Sequence, residues 1–289
     1  MDRIPVYYDD RMVAESRSFS PSAAKPAKVV ASWQRRGFPV ELRTPRPADI
    51  DQLCGAHHPD YVVGVLEGRI SNGFGNRLPE IAASLPWTTG AMVDAALEAV
   101  RNGFGAVAPV SGFHHACYEE SAGYCTFNGL VVAAREVRRK HPQARVGILD
   151  FDMHYGDGTA QILRHLKLGC VNHYSAAADY ERPEQAESFL ARIPAMLRAF
   201  EGCAVLLYQA GADPHIDDPL GGWLDSRQLA LRDQRVFQLA RMHGIPVAWN
   251  LAGGYQEPIS KVLAIHDATM RECIAAWCGP GADAITARG

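Results

Sequence analysis

Asp150-Phe151-Asp152-Met153-His154-Tyr155-Gly156-Asp157-Gly158 directly follows the apolar run Val146-Gly147-Ile148-Leu149. The apolar run reads as a buried strand. Just past it come carboxylates and an imidazole at alternating positions. Residues two apart point to the same side of extended backbone. Asp152 and His154 are therefore expected to reach one metal ion together, with Asp150 behind them. Gly156 and Gly158 fit a tight, irregular loop.

The same arrangement recurs along the chain. Val110 leads into Ser111-Gly112-Phe113-His114-His115-Ala116. Leu206-Leu207-Tyr208-Gln209 leads into Ala210-Gly211-Ala212-Asp213 and Asp217-Asp218-Pro219-Leu220-Gly221-Gly222. Val247-Ala248-Trp249 leads into Asn250-Leu251-Ala252-Gly253-Gly254-Tyr255. Each polar cluster sits beyond the carboxyl end of an expected strand, the edge where parallel α/β sheets bind ligands. Expected strands are Ile4 to Tyr8, Ala106 to Val110, Arg145 to Asp150, Cys170 to Asn172, Ala204 to Gln209 and Ile245 to Asn250.

Helical patterns fall between these strands. Met92, Ala96 and Val100 form a stripe flanked by Val93 and Leu97. Ser226 to His243 has Asp225 or Ser226 to cap its start, and Gly244 and Pro246 to end it. Glu184 to Phe200 is helical, with Pro194 expected to kink or split it. Arg17 to Pro26 and Gly68 to Pro79 read as loops. The alternation predicts an α/β fold with a mainly parallel sheet covered on both faces. No composition shift divides the chain, so residues 1–289 read as one catalytic domain.

The bulk numbers narrow the function classes. A net charge of −3, with 47% hydrophobic and 21% charged residues, gives no nucleic-acid or membrane-surface signature. No stretch approaches the roughly 18 uninterrupted apolar residues of a membrane span. The first residues lack the apolar core of a signal peptide. Seven cysteines without a CxxC pair fit a reducing compartment, and a cytoplasmic location is expected.

The clusters suggest hydrolytic chemistry. A catalytic zinc site usually takes three protein ligands and keeps one position open. Asp213 is the best third partner for Asp152 and His154, because it holds the equivalent place after another strand. An aspartate after a strand is ordinarily a loop or cap residue; it is the set of clusters at one edge that argues otherwise. Adjacent histidines diverge, so His114 and His115 should have different roles, with Asp150 and Asp157 available as carboxylate partners. Tyr255, after two glycines, could aim a phenol at a carbonyl oxygen as charge develops.

At this point the sequence resembles the histone deacetylase superfamily, including its bacterial amidohydrolase and acetylpolyamine amidohydrolase members. The resemblance rests on His57-His58-Pro59-Asp60-Tyr61-Val62, the histidine pair, Gly123-Tyr124-Cys125-Thr126-Phe127-Asn128, Asp-Phe-Asp-Met-His, Gly-Ala-Asp with Asp-Pro-Leu-Gly-Gly, and Gly-Gly-Tyr. It implies a three-layer, arginase-like α/β/α sandwich. It implies Zn2+, with Fe2+ as the alternative, on Asp152, His154 and Asp213. It implies His115 as general base and acid supported by Asp157, His114 paired with Asp150, and Tyr255 polarising the acyl carbonyl. Gly123 and Tyr124 would line the acyl channel, and Phe113 would either narrow the floor of the site or pack beneath it. The implied substrate is an N-acylated amine: acetyllysine in a protein, an acetylpolyamine or a small metabolite amide.

The sequence departs from the family pattern in places. Gly112-Phe113 replaces the usual Pro-Gly, Tyr155 replaces a histidine, and Ala252 a glycine. Asp152 and Asp213 are only 61 positions apart, short for this family. The interval leaves His173-Tyr174-Ser175 and Asp179-Tyr180 as rim candidates. A more open mouth is expected, or one closed by a partner subunit in a homo-oligomer. The family's K+ site near Asp150 and Asp152 lacks further ligands that can be aligned here.

Overall fold

The computed structural model describes residues 2–278. In chain order the elements are β1 (Ile4–Tyr7), α1 (Lys25–Arg35), β2 (Val40–Arg43), α2 (Ile50–Cys54), α3 (Pro59–Leu66), α4 (Pro79–Asn102), β3 (Gly105–Ala108), α5 (Gly129–Lys140), β4 (Val146–Asp150), α6 (Asp157–His165), β5 (Val171–Ser175), α7 (Ala186–Arg198), β6 (Val205–Gln209), α8 (Ser226–Met242), β7 (Val247–Asn250) and α9 (Ser260–Trp277). The strands form a seven-stranded sheet in the order β2-β1-β3-β7-β6-β4-β5, and every pairing is parallel.

Strand alternation splits the core into two layers. Ile4, Val6, Val107, Leu149, Leu206, Tyr208, Val247 and Trp249 face a cluster built with α1, α7, α8 and α9. Ala106, Ala108, Val146, Ile148, Val205, Leu207 and Ala248 face the other, built with α4, α5 and α6. A sheet buried on both faces needs apolar side chains at nearly every position, and β4 and β6 are buried throughout. The result is the expected three-layer α/β/α sandwich. A smaller cluster joins α2 and α3 to the start of α4.

Several local expectations change. The sequence reading missed β2, because this edge strand is half-exposed and carries no apolar run. Pro194 does not split α7, which runs through it without the hydrogen bond that its nitrogen cannot donate. Asp225, rather than Ser226, caps α8, in a reciprocal pair with Gln228. His173-Tyr174-Ser175 is not a rim loop: it is the second half of β5, in register with Ile148 to Asp150. Tyr180 stacks on Trp223 at 6.1 Å and packs edge-on against Phe189, so it braces the core rather than a channel. The seven cysteines are unpaired thiols, and no helix among the described residues is long and apolar enough to cross a membrane. The Cys278-Gly279-Pro280-Gly281 turn and the tail after it lie outside the described residues beyond Cys278.

Candidate active site

β3, β7, β6 and β4 are consecutive neighbours in the sheet. Because all run parallel, their carboxyl ends share one edge, and four loops distant in sequence converge there. The loop after β4 supplies Asp152 and His154, and the loop after β6 supplies Asp213. One ligand atom from each lies within 4.8 Å of the others. His154 Nδ1 is 3.3 Å from both Asp152 Oδ1 and Asp213 Oδ2. Asp152 Oδ2 accepts the Gly253 backbone N–H at 2.8 Å, and Asp213 Oδ1 accepts that of Met153 at 3.3 Å.

This cluster is electrostatically unfinished. Asp213 is fully buried, and its Oδ2 has no hydrogen-bond partner. Burial, and then the neighbouring Asp152 carboxylate, push its pKa up. Burial opposes the ionisation of Asp152 too, but His114 and His154 outweigh it and hold that carboxylate low. Two buried carboxylates and an imidazole converging on one point are relieved by a divalent cation. The backbone leaves the space: a Cβ on Gly253 would collide with the Asp213 carboxylate, and one on Gly211 would lie 2.6 Å from Asp213 Oδ1. The donor set of two carboxylates and one imidazole fits zinc.

Beside this cluster, the loop after β3 carries the histidine pair. His114 Nδ1 donates to Asp150 Oδ2 at 2.7 Å, and His115 Nδ1 donates to Asp157 Oδ1 at 2.7 Å. Their rings lie 4.0 Å apart, yet each has its own carboxylate. Anchoring Nδ1 in this way leaves Nε2 available for chemistry. Burial pulls His114 down, but Asp150 and Asp152 together overcome it and lift it to about 9. His115 moves the other way: burial and then the charge on His114 lower it, against the pull of Asp157. One ring is thus a resident cation and its neighbour a base. The His115 ring lies 5.9 Å from that of His154.

Tyr255 follows β7. Its backbone N–H donates to Asp218 Oδ2 at 2.8 Å, which ties the loop after Asp213 to the loop after β7. The phenol is 8% exposed, and burial followed by Asp213 and Asp152 raises its pKa far above the usual range. It therefore stays a donor at any ordinary pH. Lys25, at the start of α1, is fully buried and donates to the Ala252 carbonyl at 2.6 Å and the Gly253 carbonyl at 3.3 Å. Burial lowers it to about 8, against the pull of Asp213 and Asp152. Ala252 takes a left-handed φ of 51°, and the lysine's grip on its carbonyl and the next one helps hold that strained turn.

The residues singled out for the chemistry gather at this edge. Gly123 (φ 51°) packs so closely under the His115 ring that any Cβ would strike it. Tyr124 lies 5.8 Å from the Tyr255 ring. Phe113 is buried against Gly129 at the start of α5 and shares a cavity of about 40 Å³ with Tyr124 and Cys125. Lys25 carries no signal in the sequence, and Asp218 stands there only as a member of its cluster, without a role. A lysine at a helix start ordinarily reads as solvated, and only the contact with carbonyls more than two hundred residues away reveals its place.

The histone deacetylase domain model matches residues 21–169, more than half of the chain. The chain belongs to the histone deacetylase domain family. The matched segment holds Phe113, both histidines, Asp150, Asp152, His154 and Asp157, whereas Asp213 and Tyr255 follow it. An uncharacterized protein of Picosynechococcus sp. is 26% identical over 255 residues, covering 79% of this chain and 83% of that protein. A probable deacetylase of Methanothermobacter thermautotrophicus is 37% identical over 123 residues, covering 41% of this chain and 37% of that protein. The fold extends past the matched segment. The solved HDA15 HD domain superposes with a TM-score of 0.77 over 95% of this chain and 88% of its own, at 18% identity. The acetylpolyamine aminohydrolase of Burkholderia pseudomallei gives 0.70 over 94% and 99%, at 19% identity.

Proposed function

We propose that this protein hydrolyses an N-acyl, principally N-acetyl, amine with a metal bound by Asp152, His154 and Asp213. The observation that carries the reading is the buried Asp213 oxygen without a hydrogen bond, facing His154 and Asp152 beside a His–Asp pair. Zinc bound there, with Fe2+ the alternative, would polarise the amide carbonyl and lower the pKa of a nearby water.

The chain's own residues would handle the protons. His115, steadied by Asp157, would take a proton at Nε2 from the attacking water and deliver it to the leaving amine nitrogen. Tyr255, kept protonated, would donate to the carbonyl oxygen as negative charge grows on it. His114 on Asp150 would carry positive charge beneath the site and keep His115 a weak enough base to give its proton back. Lys25 and Asp218 would keep the Tyr255 loop in place. The acyl group leaves as a carboxylate and the amine, which takes up both protons of the water, as an ammonium. Acetyllysine and acetylpolyamines both satisfy these requirements.

The test is turnover of an acyl-amine panel by purified protein, with zinc and with chelator. The panel contains an acetyllysine peptide, acetylputrescine and a longer-chain acyl-lysine. Chelator-sensitive release of amine from at least one is expected. Metal-loaded protein that cleaves none of them would overturn the reading.

A further inference from the structure

A large apolar ring stands at the mouth of this site, on a segment the sequence presents only as a loop. Phe19 is 63% exposed, and its ring stacks on that of Tyr255, with centroids 6.3 Å apart and planes 16° from parallel. Tyr124 meets Tyr255 at 5.8 Å from the loop before α5, and Phe74 meets Tyr124 at 6.0 Å. The Tyr255 ring is thus flanked by aromatic rings from separate parts of the chain.

The segment that carries Phe19 is built to hold it. The Ala14 N–H donates to the Ala23 carbonyl at 3.1 Å and closes the loop's base. Inside, Ser16, Ser20 and Ser22 are buried. Ser16 Oγ bonds the Ser20 carbonyl at 3.3 Å and Ser18 Oγ at 2.9 Å, and Ser20 Oγ donates to Ser22 Oγ at 2.8 Å. Asn76 Nδ2 donates to the Ser16 carbonyl at 2.9 Å and ties the loop to the body. A polar loop satisfied within itself has no folding reason to hold an exposed phenylalanine at its tip. In the interval between Asp152 and Asp213, meanwhile, Tyr174 lies in β5 and Tyr180 packs on Trp223, while Tyr155 beside His154 is 45% exposed.

We infer that Phe19 is a specificity-determining wall of the acyl-amine channel, selecting substrates whose amine side is an apolar methylene chain, as in lysine. This inference rests on the hydrolase reading above. A butylene chain leading to the amide would lie against the exposed Phe19 ring, and would cover apolar surface that water now meets. A short polar amine would leave Phe19 uncovered.

Phe19→Ala tests this with two substrates, an acetyllysine peptide and N-acetylethanolamine, after melting temperature and bound metal are shown to match wild type. The variant is expected to raise KM for the acetyllysine peptide about five- to tenfold, the range of one aromatic contact, with kcat within about twofold. KM for N-acetylethanolamine should not move, and Phe19→Tyr should restore the peptide KM. A fall in kcat at constant KM would mean that Phe19 orients Tyr255 instead, and would overturn the inference. Equal KM values for wild type and variant would overturn it while leaving the hydrolase reading intact. Wild-type protein that cleaves neither these substrates nor the wider panel would overturn both.

Discussion

Replacing Asp213 with asparagine should make the metal-free protein more stable and leave it unable to gain from zinc. Asp213 is fully buried, and its Oδ2 accepts no hydrogen bond, with only the His154 ring near it at 3.3 Å. Burial and Asp152 raise its folded pKa above the unfolded value of about 4. The sign follows from linkage: a raised carboxyl pKa costs nothing below the unfolded value. The cost grows as pH climbs from there to the folded pKa, and is fully present above it. Asparagine keeps the shape, can still accept the Met153 N–H, and presents Asp152 with a donor in place of a second charge. Removing one poorly compensated buried charge is worth about 1–3 kcal/mol. In chelator at pH 8 the variant should therefore melt a few degrees above wild type, and the gap should close near pH 4. In excess zinc the order should invert, because only wild type gains the binding free energy. Calorimetry at both pH values, with and without zinc, reads all of this. A variant that melts below wild type in chelator at pH 8, or that gains as much as wild type from zinc, would refute the reasoning.

The other expectations follow from the same geometry. Tyr255→Phe should keep fold and metal but lose roughly 10²–10³ in kcat, the scale of one donor to a developing oxyanion; unchanged turnover would remove Tyr255 from the chemistry. Gly253→Ala should abolish metal uptake, since its Cβ would enter the space of the Asp213 carboxylate, and equilibrium dialysis against zinc checks this. Burial and His114 depress His115 below 6.5, so kcat/KM should rise with pH through an inflection below 6.5. Asp157→Asn removes the group that opposes this depression and should move the inflection to still lower pH; a shift upward would contradict the pairing.

The sequence was informative where chemistry and backbone period coincide. Asp152 and His154 are legible because ligands two residues apart after a buried strand share a side, and the sheet order then brings Asp213 and Tyr255 beside them. The two core layers are legible because alternation along each strand assigns every residue to one face. Legibility ends where a residue's role depends on a distant contact. Lys25 looks like any surface lysine until its ammonium is found under the Ala252 carbonyl. Phe19 looks like an ordinary loop residue until its ring lies on Tyr255. β2 carries too little apolar surface to signal itself, because an edge strand packs only in part. The rim reading of His173 to Ser175 failed for the converse reason: polar residues there continue a sheet strand that Ile148, Leu149 and Asp150 of β4 hold in register.

The most direct measurement is an anomalous difference map at the zinc edge from crystals of the zinc-loaded protein. The account predicts one strong peak within bonding distance of Asp152, His154 and Asp213, next to His115 and Tyr255. A map with zinc bound elsewhere and none among those three side chains would contradict it.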